Sequence, residues 1–366
     1  MNSALHLHGL IKSLLLLWLS TAGFFCYAAS VVYVANTDSH TISVFALNET
    51  SGQLNLQQTL AVDGAVMPLA LSPDRQLLYA AIRSTPYQLI VLGIDGVSGE
   101  LSLRAKLPVE DSMANISVDP AGRYLFAVSY AGNTISSYPL NAQGIPSSPV
   151  QVLPTGNHPH QITIDPQHQF VYVSLLGEDR MDYFRVNHTL KSAPLVPMNT
   201  PALHTASGAG PRHFVFSAQG LFLYLVNELN GTVQVYQRNA NKGTATLLES
   251  HVLAEGVKPW AADIHLTPNG NFLYASERTG STISGFKVNR NTGRLSPISR
   301  WATEQQPRAF RITPDGRFLL VVGQLSRRIS VYAINPHSGE LQLASTHQTG
   351  KNPAWIEVVN LPVTAR

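Results

Sequence analysis

Short runs of alternating apolar and polar residues recur along the chain from residue 31 to its C-terminal end. The runs are rich in β-branched and aromatic residues and are bounded by turn residues, as in Phe272–Ala275 and Arg328–Tyr332. Such alternation is typical of β-strands that bury at least one face. No segment after residue 30 carries a convincing helical period, so the pattern predicts an all-β protein.

The predicted strands form a repeat. Its clearest copy is Gln306–Gly323, in which a first strand leads through a Pro-Asp-Gly turn to a second strand. The aligned first-strand positions are Met67, Ala114, His160, Arg212, Ala262, Arg308 and Ala354, separated by 47, 46, 52, 50, 46 and 46 residues. Four strands per repeat at this spacing indicate the blades of a β-propeller.

The two ends of the chain are predicted to share one blade. Seven first strands are present, but the last one, Ala354–Val359, has no outer strands after it, whereas three unassigned strands stand at the beginning, from Val31 to Leu56. We therefore predict a seven-bladed β-propeller of four-stranded blades, closed by pairing Ala354–Val359 with Val31–Ala35, since closure removes the exposed sheet edge. The four tryptophans lie at 18, 260, 301 and 355 without Gly-His or Trp-Asp pairs, which disfavours a WD40 array.

Residues 1–29 have a different character from the repeat. Lys12 is followed by an apolar run that ends in small residues, the pattern of a secretory signal peptide. Cleavage after Ala28 or Ala29 would remove Cys26, the single cysteine, and retention of the segment would make it an N-terminal anchor instead. We expect a signal at 1–29, the propeller at 30–366 and an exported, periplasmic protein, or a cytoplasmic one if the N-terminal segment does not function.

Composition narrows the possible partners. Only 13% of the residues are charged, about half the usual share, and 44% are hydrophobic, which excludes intrinsic disorder. A net charge of +3 excludes a typical nucleic-acid-binding protein. One cysteine excludes a disulfide scaffold. We expect no nucleic-acid partner, no membrane contact beyond the N-terminal segment, and a monomer.

Charged residues concentrate where the repeat is broken. Because neighbouring strands are antiparallel, the start of the first strand and the end of the second lie at one end of the central channel, which we call the rim. The second strands end at Thr37, Arg83, Tyr130, Leu176, Glu228, Arg278 and Gln324. The charged or imidazole side chains expected at the rim are His160, Arg212, His213, Glu228, Asp263, Arg278, Arg308 and Arg83.

These residues also have structural interpretations. Arg212 and Glu228 could form a salt bridge without any substrate, Asp263 could bond across blades, and His213 could be a buried core histidine. His213, Asp263, His265 and Glu228 are residue types that bind metal ions. The repeat does not support a metal site strongly, because His265 lies two residues further along its strand from the rim than Asp263. We therefore expect no metal and no cofactor.

With these residues identified, the chain resembles the bacterial 6-phosphogluconolactonases of the seven-bladed propeller type, which are related to fungal carboxy-muconate cycloisomerases. The matching segments are Gly208–His213, Val226–Asn230, Trp260–Pro268, Glu277–Thr279, Thr303–Arg308 and Asn352–Trp355. The resemblance covers residues 31–360 and makes 30–366 a lactonase domain. It implies a site formed by one histidine, two arginines and one glutamate, which by motif are His160, Arg212, Arg278 and Glu228.

The expected function is hydrolysis of a sugar δ-lactone, with 6-phosphogluconolactone as the first candidate and a small-molecule sugar lactone as the only partner. The expected catalytic residues are Glu228, His160, Arg212 and Arg278, and the expected substrate-binding residues are His213, Arg308, Asp263 and Arg83. Glu228 or His160 would be the general base, and the arginines would stabilise the oxyanion or hold a phosphate. A lactonase for an unphosphorylated aldonolactone, a muconate-type cycloisomerase and a non-catalytic binding propeller remain as alternatives.

Overall fold

The computed structural model describes residues 30–361, which fold into seven antiparallel sheets arranged as the blades of a ring. The first blade consists of β29 (Pro353–Asn360), β1 (Ser30–Asn36), β2 (Thr41–Leu47) and β3 (Leu54–Ala61), with a 3₁₀ turn at Thr37–Ser39. The inner strands contact one another in chain order around the ring, and β29 contacts the inner strand of the second blade. The prediction of a seven-bladed all-β propeller is confirmed.

The other six blades each contain consecutive strands, ordered from the channel outwards. Blade 2 contains β4 (Val66–Leu71), β5 (Leu77–Ile82), β6 (Gln88–Ile94) and β7 (Leu101–Pro108). Blade 3 contains β8 (Met113–Val118), β9 (Tyr124–Ser129), β10 (Thr134–Pro139) and β11 (Gln151–Pro154). Blade 4 contains β12 (Pro159–Ile164), β13 (Phe170–Leu175), β14 (Arg180–Val186), β15 (Leu195–Pro197) and the short β16 (Leu203–His204). Blade 5 contains β17 (Pro211–Phe216), β18 (Phe222–Asn227), β19 (Thr232–Arg238) and β20 (Ala245–Val252). Blade 6 contains β21 (Ala261–Leu266), β22 (Phe272–Glu277), β23 (Thr282–Val288) and β24 (Leu295–Ala302). Blade 7 contains β25 (Pro307–Ile312), β26 (Phe318–Gly323), β27 (Arg328–Ile334) and β28 (Leu341–Gln348).

Ring closure follows the predicted strand pairing. Strand β29 pairs antiparallel with β1, with Ile356 opposite Val34 and Val359 opposite Val31. The C-terminal strand is thus the innermost strand of a blade whose other three strands come from the N-terminal part of the chain. The longest repeat spacing, between His160 and Arg212, corresponds to blade 4, where β16 adds a short fifth strand beside β14.

The hydrophobic core is divided among the seven interfaces between blades. One cluster joins Val32 and Phe45 of blade 1 to Leu320 and Val331 of blade 7, and each of the other six interfaces has a cluster of its own. Most strands are therefore covered on both faces, and such strands have few positions at which a charged side chain remains hydrated. This arrangement accounts for the low charge content of the chain.

Buried tyrosines tie successive blades together. The hydroxyl of Tyr33 donates to the carbonyl oxygen of Gly99 at 2.9 Å, from the inner part of one blade to the outer turn of the next. The same bond joins Tyr79 to Gly144, Tyr172 to Gly243, Tyr224 to Gly293 and Tyr274 to Gly339. A buried tyrosine needs a partner for its hydroxyl, and this repeated bond supplies one while fixing the angle between blades.

Residues 1–29, where we expect the signal segment, lie outside the described part of the chain. Within residues 30–361, no helix has the length and apolar character needed to cross a membrane.

Candidate active site

A β-bulge at the rim end of the inner strands directs the candidate side chains. In blades 4, 5 and 7 the register against the second strand shifts by one residue, and the extra residues are His160, Arg212 and Arg308. Each follows a proline at the first position of its strand, where the missing N–H breaks no interior ladder bond. A bulge interrupts the alternation of a strand and redirects a side chain. The inner strands of the other four blades have a register shift at the same end, so the bulge belongs to the repeat and the blades differ in the side chain that it carries.

The rim holds a cavity of about 210 Å³. Its lining residues are Arg83, Ala114, Tyr130, His160, Glu228, Arg278 and Arg308. Five of the eight residues predicted from the sequence therefore meet around one space. A wider groove of about 670 Å³ between the outer turns of blades 2 and 3 contains none of the predicted residues.

Glu228 lies between two arginines. Its Oε2 is 2.8 Å from Nε of Arg212 and 2.7 Å from Nη2 of Arg278, and its Oε1 accepts a hydrogen bond from Nε1 of Trp260 at 3.2 Å. Burial raises the pKa of Glu228, but Arg212, Arg278 and Arg308 outweigh that effect and hold the pKa below its usual value. Glu228 is thus an ionised carboxylate with two cations at Oε2 and an indole donor at Oε1.

Arg212 and Arg278 are held firmly by the protein. Arg212 is 1% exposed, and its Nη1 donates to the carbonyl oxygen of Ala262, so it supports Glu228 from behind the cavity wall. Arg278 donates to the carbonyl oxygens of Trp260 and Ala261 at 3.1 and 3.2 Å and still lines the cavity. Burial, with Arg212 adding its charge, lowers the pKa of Arg278 to about 9, which leaves it protonated at neutral pH.

Arg308 differs from the other two because it is unpaired. Within residues 30–361 its guanidinium makes no hydrogen bond and no ion pair, although it is only partly exposed and lines the cavity. Burial lowers the pKa of Arg308, and the charges of Arg212, Arg278 and Arg83 lower it further. Arg83, held by a 2.9 Å bond from its Nε to Ser112 Oγ, also lines the cavity. The lining therefore contains three guanidinium groups and one carboxylate.

His160 is a buried neutral imidazole beside these cations. It is 4% exposed, and its ring lies edge-on to His213 and Tyr130, with centroids 5.0 and 6.0 Å away. Burial and then the charges of Arg212 and its neighbours place the pKa of His160 well below the ordinary value of 6.5. At neutral pH it therefore has a lone pair available on one nitrogen.

His213 and Asp263 lie beside the cavity rather than in its lining. His213 Nδ1 is 2.8 Å from Asp263 Oδ1, and Asp263 also contacts His265 and the backbone of blade 7. Asp263 thus makes the cross-blade bond that the structural interpretation anticipated. Within residues 30–361, no group of three histidine, cysteine, aspartate or glutamate side chains is arranged to hold a metal ion.

Two site residues were missed by the sequence reasoning. Tyr130 lines the cavity from the second-strand end of blade 3, the position that Glu228 occupies in blade 5, so the repeat alignment contained its signal. Trp260 contacts both Glu228 and Arg278 but precedes strand β21, where the repeat assigns no side chain to the rim. Only the folded structure identifies it.

Comparison with known proteins agrees with this geometry. A family model described as "Lactonase, 7-bladed beta-propeller" matches residues 27–358. The 6-phosphogluconolactonase of Serratia proteamaculans is 39% identical over 333 residues, covering 90% of this chain and 98% of the relative. That of Photorhabdus laumondii is 38% identical over 331 residues, covering 90% and 99%.

A solved structure gives the same result at lower identity. The periplasmic gluconolactonase of Pseudomonas aeruginosa superposes with a TM-score of 0.85 at 26% identity, covering 91% of this chain and all of the other. The chain is accordingly a carboxylic-ester hydrolase that opens lactones. The chain belongs to the seven-bladed β-propeller lactonase family.

Proposed function

We propose that the enzyme hydrolyses 6-phosphogluconolactone to 6-phosphogluconate. The observation that carries this proposal is the unpaired guanidinium of Arg308 in the rim cavity, with Arg83 on the same lining. A partly buried cation without a direct ion-pair partner is costly, and a planar guanidinium is well suited to bind phosphate oxygens bidentately. A phosphate group would give Arg308 a direct ion-pair partner in addition to the charge of nearby Glu228. The names of the relatives from Serratia and Photorhabdus support this substrate.

His160 is the better of the two candidate bases. Its neutral imidazole can accept a proton from water, whereas the Glu228 carboxylate is already ion-paired with two guanidinium groups and accepts a hydrogen bond from one indole. A carboxylate stabilised in this way is a weak base. Glu228 instead fixes Arg212 and Arg278 and limits the positive charge of the cavity.

The reaction follows from these placements. Water adds to the lactone carbonyl carbon while one of its protons passes to His160. The carbonyl oxygen becomes an anion facing Arg278, which lines the cavity and stays charged. When the tetrahedral adduct collapses, the bond between the carbonyl carbon and the ring oxygen breaks. The ring oxygen takes the proton from His160 and becomes a hydroxyl group.

The negative charge of the substrate phosphate also makes His160 a stronger base. The cations that depress the pKa of His160 include Arg308, the residue assigned to the phosphate. A bound phosphate offsets that charge, so the pKa of His160 rises towards neutrality when the phosphorylated lactone is in place. A base is most effective when its pKa is near the working pH, so the phosphate contributes to turnover as well as to binding.

The test is steady-state hydrolysis of 6-phosphogluconolactone and of glucono-δ-lactone, corrected for spontaneous opening and repeated with a chelator. We expect Arg308→Gln to lower kcat/KM for the phosphorylated lactone about 10- to 100-fold, the range for losing a charged hydrogen-bond partner, and to change the free lactone much less. The control is Arg104→Gln in the groove between blades 2 and 3. Equal losses for both lactones would overturn the assignment of Arg308 to the phosphate.

A second substrate is favoured by a separate observation. Residues 1–29 have the pattern of a signal peptide, and the Pseudomonas structure is that of a periplasmic gluconolactonase. We propose that the segment exports the enzyme and that an unphosphorylated aldonolactone is then the candidate substrate. Cell fractionation after expression of the full chain and of a variant lacking residues 2–29 tests export. Only the full chain is expected in the periplasm, and finding both in the cytoplasm would exclude export.

A further inference from the structure

Asp263 is held in one orientation by three blades. Its Oδ1 lies 2.8 Å from His213 Nδ1 and accepts from the backbone N–H of Ile264 at 3.0 Å. Its Oδ2 lies 3.1 Å from His265 Nε2 and accepts from the backbone N–H of Phe310 at 3.2 Å. The carboxylate is buried, and burial raises its pKa, but the two histidines outweigh this and keep the pKa of Asp263 well below its usual value. Asp263 is therefore ionised and can only accept hydrogen bonds.

This carboxylate determines which nitrogen of His213 carries the proton. Burial and the charge of Arg212 lower the pKa of His213 to about 4, so the ring is neutral at neutral pH. A neutral imidazole has one N–H, and the short contact to an acceptor-only carboxylate places it on Nδ1. Nε2 of His213 then has a lone pair, and this buried atom has no hydrogen-bond partner among the described residues.

Among the described residues, His160 is one of the two aromatic side chains that contact the His213 ring, and Trp355 is the other. The rings of His160 and His213 meet edge to face, with centroids 5.0 Å apart and planes at 64°. His160 Nδ1 is also buried and has no partner among residues 30–361. Since His160 lines the cavity while its Nδ1 is buried, Nε2 is the nitrogen left to face the substrate. Two neighbouring imidazoles thus each bury one unsatisfied nitrogen.

We propose that His213, held by Asp263, is a positioning residue that places the proton of His160 on Nδ1, leaving the Nε2 lone pair for the attacking water. A donor at His160 Nδ1 would complement the acceptor at His213 Nε2, whereas the other tautomer of His160 leaves two buried acceptors on neighbouring rings and no donor for either. The two nitrogens are not within hydrogen-bonding geometry in this structure, so the inferred bond requires a shift or rotation of one ring, since catalytic hydrogen bonds are often long in substrate-free structures.

The inference rests on the proposed role of His160 as base, but it has a readout independent of catalysis. The ¹⁵N chemical shifts of histidine distinguish an N–H nitrogen from one with a lone pair. We would record them on ¹⁵N-histidine-labelled enzyme, with His160→Gln identifying the signal. We expect a protonated Nδ1 and an unprotonated Nε2 for His160. The reverse pattern in the wild-type enzyme would overturn the inference, whatever the substrate and whether or not any variant folds.

The decisive variant is Asp263→Asn, which keeps the shape of the side chain. Its amide can donate to His213 Nδ1, which moves the His213 proton to Nε2 and forces His160 into the other tautomer. We expect the ¹⁵N pattern of His160 to reverse and kcat to fall at least about 100-fold with KM nearly unchanged.

His265→Gln is the matched control, because His265 contacts the same carboxylate on its other oxygen. We expect this variant to keep the wild-type ¹⁵N pattern and a kcat within about threefold of wild type, because Asp263 Oδ1 keeps His213 and the N–H of Ile264, and Oδ2 keeps the N–H of Phe310. Equal losses of kcat in the two variants would mean that Asp263 only supports the fold, and would overturn the inference. If His160→Gln hydrolysed the lactone at the wild-type rate, His160 would not be the base of the proposed function. The tautomer measured by ¹⁵N chemical shifts would not be affected by that result.

Discussion

Arg278 stacks its guanidinium on the indole ring of Trp260, with the guanidinium carbon 3.8 Å from the ring centroid. The same indole donates through Nε1 to Glu228, so one aromatic side chain contacts both members of an ion pair. A cation over an aromatic face gains about 0.5–2 kcal/mol, depending on how far it is desolvated. Trp260 therefore orients the arginine that we assign to the oxyanion, although it is itself 38% exposed.

Two substitutions of Trp260 separate its contacts. Trp260→Phe keeps an aromatic face for Arg278 but removes the N–H that reaches Glu228, whereas Trp260→Ala removes both. We expect kcat for lactone hydrolysis to fall a few-fold in the phenylalanine variant and about 10-fold or more in the alanine variant, in line with the loss of a cation–π contact. Equal rates in the two variants would show that the ring face does not position Arg278.

Glu228→Gln tests the ion-paired carboxylate. The substitution leaves two buried guanidinium groups without their counter-charge, which costs about 3–5 kcal/mol when one partner of a buried pair is removed. We expect a lower midpoint of thermal unfolding and a kcat/KM reduced about 100-fold or more, because the freed arginines no longer hold their geometry. Glu178→Gln, in a partly exposed ion pair with Arg180, is the control. A variant of Glu228 as stable as this control would contradict the buried ion-pair model.

The pH dependence of the reaction reports on His160. The charged and titratable groups around it are Arg212, His213, Arg278, Arg308, Tyr130 and Glu228. Because burial and the neighbouring cations lower the pKa of His160, the acid limb of kcat/KM should lie below pH 6.5. Arg308→Gln removes one of these cations and should move the limb to higher pH. A limb above pH 6.5 in the wild type, or a shift to lower pH in the variant, would exclude His160 as the base.

Stability should also depend on pH through the buried histidines. The folded-state pKa of His213 is about 4, below the ordinary value of 6.5, so between these values the unfolded chain binds a proton that the folded protein does not. Its contribution to stability is therefore complete above pH 6.5 and is lost as the pH falls, by up to about 1.4 kcal/mol per pH unit.

Chemical denaturation between pH 7 and 4.5 measures this loss. His213→Gln should reduce the slope of the free energy of unfolding against pH, even where its absolute stability is lower. His337→Gln, at an exposed turn, should keep the wild-type slope. Identical slopes for all three proteins would show that His213 is protonated as readily in the folded state as in the unfolded chain.

A matched pair of glycines tests the packing between blades 5 and 6. Gly293 and Gly122 both have left-handed φ, 73° and 67°, so alanine is strained at either position by about 1–2 kcal/mol. At Gly293 an added Cβ would also lie 2.3 Å from a ring carbon of buried Phe222, whereas at Gly122 it would meet no atom within 4 Å. Gly293→Ala should therefore lower the midpoint of thermal unfolding more than Gly122→Ala, and equal decreases would contradict this.

The fold could be predicted from the sequence because the information is local and repeated. Alternation and turn residues define each strand, and the regular spacing from Met67 to Ala354 defines the number of blades. The pairing of Val34 with Ile356 followed because a closed ring leaves only one partner for each unpaired strand. Blade 4 departed from the pattern only through β16, at the one place where the spacing is longest.

The sequence determined which blade positions lie at the rim, since a repeat fixes the position of every residue that it contains, but it assigned no rim position to Trp260. The tertiary structure decided which of the charged rim side chains form ion pairs and which have no ion-pair partner. Arg212 and Arg278 are bound to Glu228, whereas Arg308, at the same repeat position as Arg212, has no partner among the described residues. The tertiary structure also distinguished the two histidines, because His160 lines the cavity whereas His213 is bound to Asp263. The Arg278–Glu228 and His213–Asp263 pairs each join different blades and lie 50 residues apart in the sequence, and no local pattern encodes the distances between such side chains.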